Sequence, residues 1–409
     1  MLINLVSITK FSLFILILFI VVLPSGLFFG VNVKIISILF SVFFIFLNLI
    51  NRKTIGDGRF FVAHLTLSIL FLLCYYVFSI GNGNNIEYVK DELMLFFSFF
   101  SVLFVLLFSI YEKTVESINL MSCIWFSCFF YSFLKIIIVV FVFTGFFSLN
   151  AVSDFVVNSF GVKPMLMPIF GNVTRFQLAN DYIIGFMLFF LITSKGNFFF
   201  LKKEMYAISI AVMTLSVLIS FSRYLFLLQV LGVLLLFFDK KIKSKKMFFI
   251  VLLFVLFFIC LIFYYWSEIY SVIEIRFFSH ANAQSDSIRD LQKECLSSKF
   301  LDSGIWGYGM GGYEQNCPGP TNAPYSYEVQ YYGYYFKFGF FGFTLLMSLY
   351  VFPFIYSLKS KVKTLWKEYF VAIIIWMYIG FYNPYLISAF SAVVVTLIIL
   401  NRSIKASTL

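Results

Sequence analysis

The sequence predicts an all-α polytopic membrane protein of about twelve transmembrane helices, with one large loop on the non-cytoplasmic side. Two observations predict it. Of the 409 residues, 62% are hydrophobic and only 12% charged, and the mean hydropathy is +0.97, too apolar for a chain that must face water on all sides. Apolar runs of the roughly 20 residues that a helix needs to cross about 30 Å of hydrocarbon recur along the whole length.

Between polar breaks, the runs place helices near 11–30, 32–50, 61–80, 93–111, 119–147, 176–194, 204–221, 224–238, 247–265, 338–357, 369–382 and 385–400. The first follows Lys10 and lacks a small-residue cleavage site before the next span, so it reads as an uncleaved anchor. The run at 224–238 is short, and Pro24 and Pro353 are expected to kink their helices. Three regions result. Residues 1–266 carry nine spans and an outside loop at 148–175, residues 267–337 form the large outside loop, and residues 338–409 carry the last three spans and a tail.

Orientation follows from the basic residues, which are retained on the cytoplasmic side. Arg52, Lys53 and Arg59, then Lys195, Lys202 and Lys203, the run Lys240–Lys246, the run Lys359–Lys367, Arg402 and Lys405 all fall on one side of a twelve-span topology. With Lys10 and Lys113 that side holds 19 of the 30 basic residues, and both termini with them. The net charge of +11 therefore reports topology and contact with anionic lipid headgroups rather than nucleic-acid binding, which we exclude.

The loop at 267–337 is rich in Gly, Asn, Pro and Ser and too polar to enter lipid. Within it, 285–300 reads as a helix starting near Ser285 or Asp286, with spaced apolar residues Ile288, Leu291, Cys295 and Leu296. A Gly-rich turn follows at 304–313; its glycines serve either close backbone approach to a ligand or turn-making alone. Cys295 and Cys317 both fall in this loop, in what should be an oxidising compartment, and are either a disulfide or two thiols.

The residues able to carry chemistry are arginines at the outside boundary: Arg175, Arg223, Arg276 and Arg289. Each could snorkel to headgroup phosphate; together they could bind one polyanion, because a guanidinium meets phosphate through a planar fork and keeps its charge. Arg175 is expected to start the helix at 176. Glu328 and Asp181 are carboxylates near a membrane boundary, costly without partners, and so either arginine partners or bases. His280, the one outside histidine, is a base or an idle surface residue. Asn180, Asp181, Gly309, Gly311 and Tyr325 are candidate substrate contacts. No His, Cys or carboxylate pair has metal-ligand spacing on the outside, and neither metal nor cofactor is expected.

Four pieces occur in order: "TRFQLAND" (174–181), "SFSRYLFLL" (220–228), "SDSIRDLQKECL" leading to "IWGYGMGGY" (285–296 and 305–313), and "APYSYEVQYYGYYFKFGFFG" (323–342). Over residues 170 to 345 the chain resembles the O-antigen polymerase and O-antigen ligase superfamily, membrane glycosyltransferases of the GT-C type. The resemblance implies a GT-C-like fold and a periplasmic active site in the bacterial inner membrane. It implies transfer of an undecaprenyl-pyrophosphate-linked glycan without nucleotide sugar or metal, with arginines on the pyrophosphate. Arg175, Arg223 and Arg289 match the family arginines by position, and a chain-length regulator is a candidate protein partner. O-antigen ligases typically place a catalytic histidine where this chain has Tyr325, which favours polymerase over ligase. An O-antigen flippase would show two similar six-span halves and no large outside loop.

Overall fold

The computed structural model describes residues 5–51, 56–170, 173–194, 201–238, 280–320, 323–358 and 366–407. The chain is mostly helical. Its elements are α1 (Leu5–Val22), β1 (Leu27–Phe28), β2 (Val31–Asn32), α2 (Val33–Asn51), α3 (Arg59–Gly81), α4 (Ile86–Tyr111), α5 (Ser117–Phe143) and α6 (Leu149–Phe160). Then follow β3 (Met165–Phe170), β4 (Val173–Gln177), α7 (Asp181–Thr193), α8 (Lys203–Ser220), α9 (Arg223–Phe238) and α10 (His280–Ser298). The last are α11 (Phe300–Ser303), α12 (Gln330–Ser357), α13 (Trp366–Tyr378) and α14 (Ala389–Ser407).

Among the described residues, seven helices are long and apolar enough to cross a membrane: α1, α2, α3, α4, α5, α8 and α12. Only helices can satisfy every backbone N–H and C=O within a single span of lipid, which is why apolar runs of this length fold this way. Shorter apolar helices lie at Asp181–Thr193, Arg223–Leu235 and Ala389–Arg402. The expected span at 247–265 lies outside the described residues. Pro24 falls beyond the end of α1 instead of kinking a helix, while Pro353 sits inside α12, whose non-helical point is Gly339.

The chain divides into two compact units. The first comprises residues 1–27, 31–125 and 286–409, the second residues 28–30 and 126–285, so one boundary falls within α5. In the first unit α4 and α14 pack together as the core. Both are buried on all sides over long stretches, Phe99–Ser109 in α4 and Ala389–Arg402 in α14, the signature of a helix surrounded by other helices rather than lipid. The approach to α3 at Gly56–Gly58 is held by Glu112, whose carboxylate accepts from the N–H groups of Gly58 (2.7 Å) and Gly56 (3.2 Å) at the positive end of α3.

In the second unit α7 is the buried element, packed on α8 and α9. Gly185 makes this possible: a Cβ there would stand 2.6 Å from Leu225, so the small residue sets how closely α7 and α9 approach. Segment 148–175, expected to be a loop, instead folds into α6 and the antiparallel β3–β4 hairpin. Ser148 caps α6 by accepting from Ala151 N, and Gly161 ends it in the left-handed conformation at φ +66°.

Candidate functional site

The sequence-predicted site residues fall in both units. In the second unit, Arg175 lies in β4, opposite Met167, and not at the start of a helix; α7 begins six residues later at Asp181. The alternating "VTRFQ" pairs antiparallel with "MLMPIF", and this ladder overrides the apolar run that follows it. Arg175 is buried. Its Nε donates to Ser220 O (3.1 Å), and Nη2 donates to Gln177 Oε1 and approaches Met165 Sδ (3.6 Å). Ser220 ends α8, Phe221 turns the chain at φ +44°, and Arg223 opens α9. The fold thus docks one predicted arginine on the turn that carries another.

Beneath that turn is a buried ion pair that sequence reasoning missed. Lys135 of α5 donates from Nζ to Asp181 Oδ2 (2.8 Å) and Ser216 O (3.0 Å), and the pair's side chains are each 1% exposed. Asp181 also accepts from Tyr131 OH (3.1 Å) and Leu178 N (3.1 Å). Asp181 was expected as an arginine partner or a base; its partner is a lysine, and its accepting oxygens are already occupied. Asn180, beside it, is fully buried. Neither is placed to meet a substrate in this arrangement. A lone Lys inside an apolar run was the available signal for Lys135, since an intramembrane charge needs a partner.

Helix α10 begins at His280, earlier than the expected Ser285, and belongs to the first unit from Asp286 onward. The His280 side chain lies outside the described residues, as does all of Arg276. Arg289 sits on α10 and is clamped by two carboxylates: Nε donates to Glu328 (2.7 Å) and Nη1 to Asp286 one turn earlier (2.8 Å). Its side chain is 15% exposed against 38% for Glu328, so the carboxylate is the more accessible partner. Gln292 fixes the same corner, accepting from Glu328 N (3.0 Å) and donating to Pro318 O (2.8 Å). Cys295, one turn further, is disulfide-bonded to Cys317, with Cα atoms 5.8 Å apart. Two elements of the loop are thereby held together by a covalent bond and a hydrogen bond on one helix face, and Glu328 is positioned against α10 by Arg289 and Gln292.

The Gly-rich turn has a reason inside the protein. Helix α12 is broken at Gly339 (φ +61°), and the turn lies along the break: Tyr308 N donates to Phe336 O (3.1 Å), Gly309 N to Lys337 O (2.7 Å), and Phe341 N to Ile305 O (3.1 Å). A Cβ at Gly307 would stand 2.3 Å from Lys337 O. Gly309 and Gly311 are buried against α3 and α4, where a Cβ would meet Ser79 at 2.6 Å and Val89 N at 2.7 Å. Close backbone approach, one of the two readings of the glycines, is therefore approach to the chain's own helices, and these two residues are spoken for by packing.

Tyr325 is half-buried, its hydroxyl 3.4 Å from Asp91, and its carbonyl accepts from Lys337 Nζ (2.7 Å). Its phenol is raised above the ordinary value, first by burial and then by the Asp91 carboxylate; burial likewise pushes Tyr327 up to about 12. Both remain hydrogen-bond donors at neutral pH. No group of three metal-ligating side chains occurs among the described residues. No protein-family model and no curated protein matches this chain.

Proposed function

We propose that this multi-pass membrane protein is a metal-independent membrane glycosyltransferase that polymerises a lipid-linked glycan, with no cofactor. In this reading about twelve spans form a GT-C-like scaffold in the bacterial inner membrane. Both termini are cytoplasmic, and the loop at 267–337 faces the periplasm. The substrate is an undecaprenyl-pyrophosphate-linked O-antigen repeat, and a chain-length regulator is the candidate protein partner.

The observation that carries the reading is the Arg289–Glu328 pair, 2.7 Å apart, at the junction of the polar loop and the membrane-length helix α12. A carboxylate oriented by a guanidinium and a backbone-anchored glutamine suits a general base, which must be held within hydrogen-bond reach of the proton it removes. In the reaction, a hydroxyl of the non-reducing sugar of one lipid-linked repeat attacks the anomeric carbon of the growing chain. The new glycosidic bond forms as the bond to undecaprenyl pyrophosphate breaks, Glu328 takes the hydroxyl proton, and the pyrophosphate leaves with its charge. The resemblance gives arginine the role of binding that leaving group, an interaction worth most where water is excluded, and Arg175 and Arg223 are the candidates carried from the sequence.

Cells carrying Glu328→Gln or Arg223→Ala, with the protein still inserted, are expected to show lipopolysaccharide bearing a single repeat on gels, since loss of a positioned base slows transfer by about 10²–10⁴-fold. An unchanged long-chain ladder in both variants would remove these residues from the mechanism. Deletion of the gene separates the alternatives: single-repeat bands mark a polymerase, and absence of attached glycan marks a ligase or a flippase.

A further inference from the structure

Three tyrosines from three separate segments of the first unit gather at one place: Tyr88 in the first turn of α4, Tyr313 at the end of the Gly-rich turn, and Tyr325 ahead of α12. Tyr88 stands between the other two, with ring centroids 5.1 Å from Tyr325 at 37° and 6.0 Å from Tyr313 at 75°. Tyr313 is 40% exposed, and the exposed carboxylate of Asp91 borders the cluster, in reach of the Tyr325 hydroxyl. The rings are neither parallel nor coplanar, so they form angled walls offering aromatic faces, phenol hydroxyls and one carboxylate together.

A buried ion pair ties all three segments at once. Glu92, one turn after Tyr88, binds Lys337 Nζ through Oε1 (2.6 Å) and Gly311 N through Oε2 (2.7 Å); Lys337 in turn donates to Tyr325 O (2.7 Å). Both side chains are 4% exposed. Glu92 therefore fixes the segment carrying Tyr313, and Lys337 the one carrying Tyr325. Taking two charges out of water is costly, and a well-packed apolar pair would often serve stability as well, so an ion pair at this junction is better understood as fixing geometry. Tyrosines that merely anchor a protein at the lipid interface act singly around its perimeter. These converge, and they include a carboxylate that gains nothing from facing lipid.

We infer that Tyr88, Tyr313, Tyr325 and Asp91 form a sugar-binding subsite, preorganised by the Glu92–Lys337 pair. A hexose presents an apolar C–H face that stacks on an aromatic ring and hydroxyls that donate to a carboxylate and exchange hydrogen bonds with phenols, the combination of apolar walls and few placed polar groups found here. The inference rests on the glycan-transferring reading in its choice of ligand, and names the place where the saccharide portion of a substrate is held.

The test uses the full-length protein in lipid nanodiscs. The probe is the repeat-unit oligosaccharide released by mild acid from the producing cell's own lipid-linked glycan, and binding is followed by saturation-transfer NMR and calorimetry. The wild type is expected to bind saturably, Tyr313→Ala to weaken binding at least tenfold, and Tyr313→Phe to keep most of it, because the ring supplies the stacking face. Tyr313 is exposed enough that its truncation leaves the core intact. Glu92→Gln is expected to weaken binding without touching the ligand. No saturable binding by wild type, or binding by Tyr313→Ala and Tyr88→Ala as tight as that of wild type, overturns the subsite. Tyrosine variants that keep the sugar but loosen the protein's hold on lipid assign the cluster to the interface and also overturn it. The enzyme reading is judged separately by the lipopolysaccharide ladder of the deletion strain. Sugar binding at the tyrosines with a full ladder in that strain would keep the subsite and discard the polymerase.

Discussion

The Lys135–Asp181 pair offers a stability test that can be worked through from its geometry. Both side chains are 1% exposed, with Nζ and Oδ2 2.8 Å apart. Asp181→Leu leaves the Lys135 ammonium buried without its counter-charge, a loss of about 3–5 kcal/mol. It also deprives Tyr131 OH and Leu178 N of their acceptor, adding about 0.5–1.5 kcal/mol for each. Lys135→Met strands the carboxylate, eased by those same two donors, and should cost about 3 kcal/mol. The double variant buries no charge, so only the three lost hydrogen bonds, to Tyr131, Leu178 and Ser216, remain, about 1.5–4.5 kcal/mol. The cycle should therefore show a coupling of at least about 3 kcal/mol, read from unfolding of the purified protein in mixed detergent micelles. Additivity within about 0.5 kcal/mol would mean that the two side chains do not interact, and would refute the account of how α5, α7 and α8 are joined.

Gly339→Ala places a Cβ 2.4 Å from Ile305 O at φ +61°, so the variant should lose monodispersity on size exclusion or melt well below wild type; a wild-type melt would remove the break in α12 as a requirement. Cys295→Ser opens a cross-link spanning 22 positions, worth about 3 kcal/mol of chain entropy, and should make the 280–329 segment sensitive to protease in the way that reductant does for wild type. Full protease resistance in both would mean that the remaining contacts suffice. Glu112→Ala removes the acceptor for two backbone N–H groups at the start of α3 and should lower stability by about 1–3 kcal/mol, measured by the same micelle titration.

What the sequence made legible is what a local window can carry. The apolar runs at 61–80, 93–111 and 204–221 became α3, α4 and α8 because the length of an apolar stretch and its helical conformation are both dictated by lipid. The amphipathic pattern around Ile288 and Leu291 likewise became α10. Hydropathy does not register where a backbone turns, so α4 begins seven residues before its apolar run, and Arg175 fell in a hairpin strand instead of a helix start. Pairs distant in sequence were invisible: Lys135 and Asp181 are 46 residues apart, Glu92 and Lys337 are 245, and nothing local marks either as partners. The Arg289 clamp was half legible, since Asp286 follows from helical spacing but Glu328 requires the loop to fold back.

The broken helix α12 bears on the order in which the chain can be assembled. Its carbonyls at Phe336 and Lys337 and its amide at Phe341 find their partners in residues 305–309, made earlier and lying within the polar loop. An unbroken helix satisfies its own backbone as it leaves the insertion machinery; this one cannot, because three of its groups wait for a segment about thirty positions upstream to arrive. The part beyond Phe341 can settle into lipid at once, whereas the part from Gln330 to Phe341 completes its bonding only when the Gly-rich turn docks. Completion of the backbone bonding of α12 thus depends on the docking of a loop segment and not only on the entry of a span.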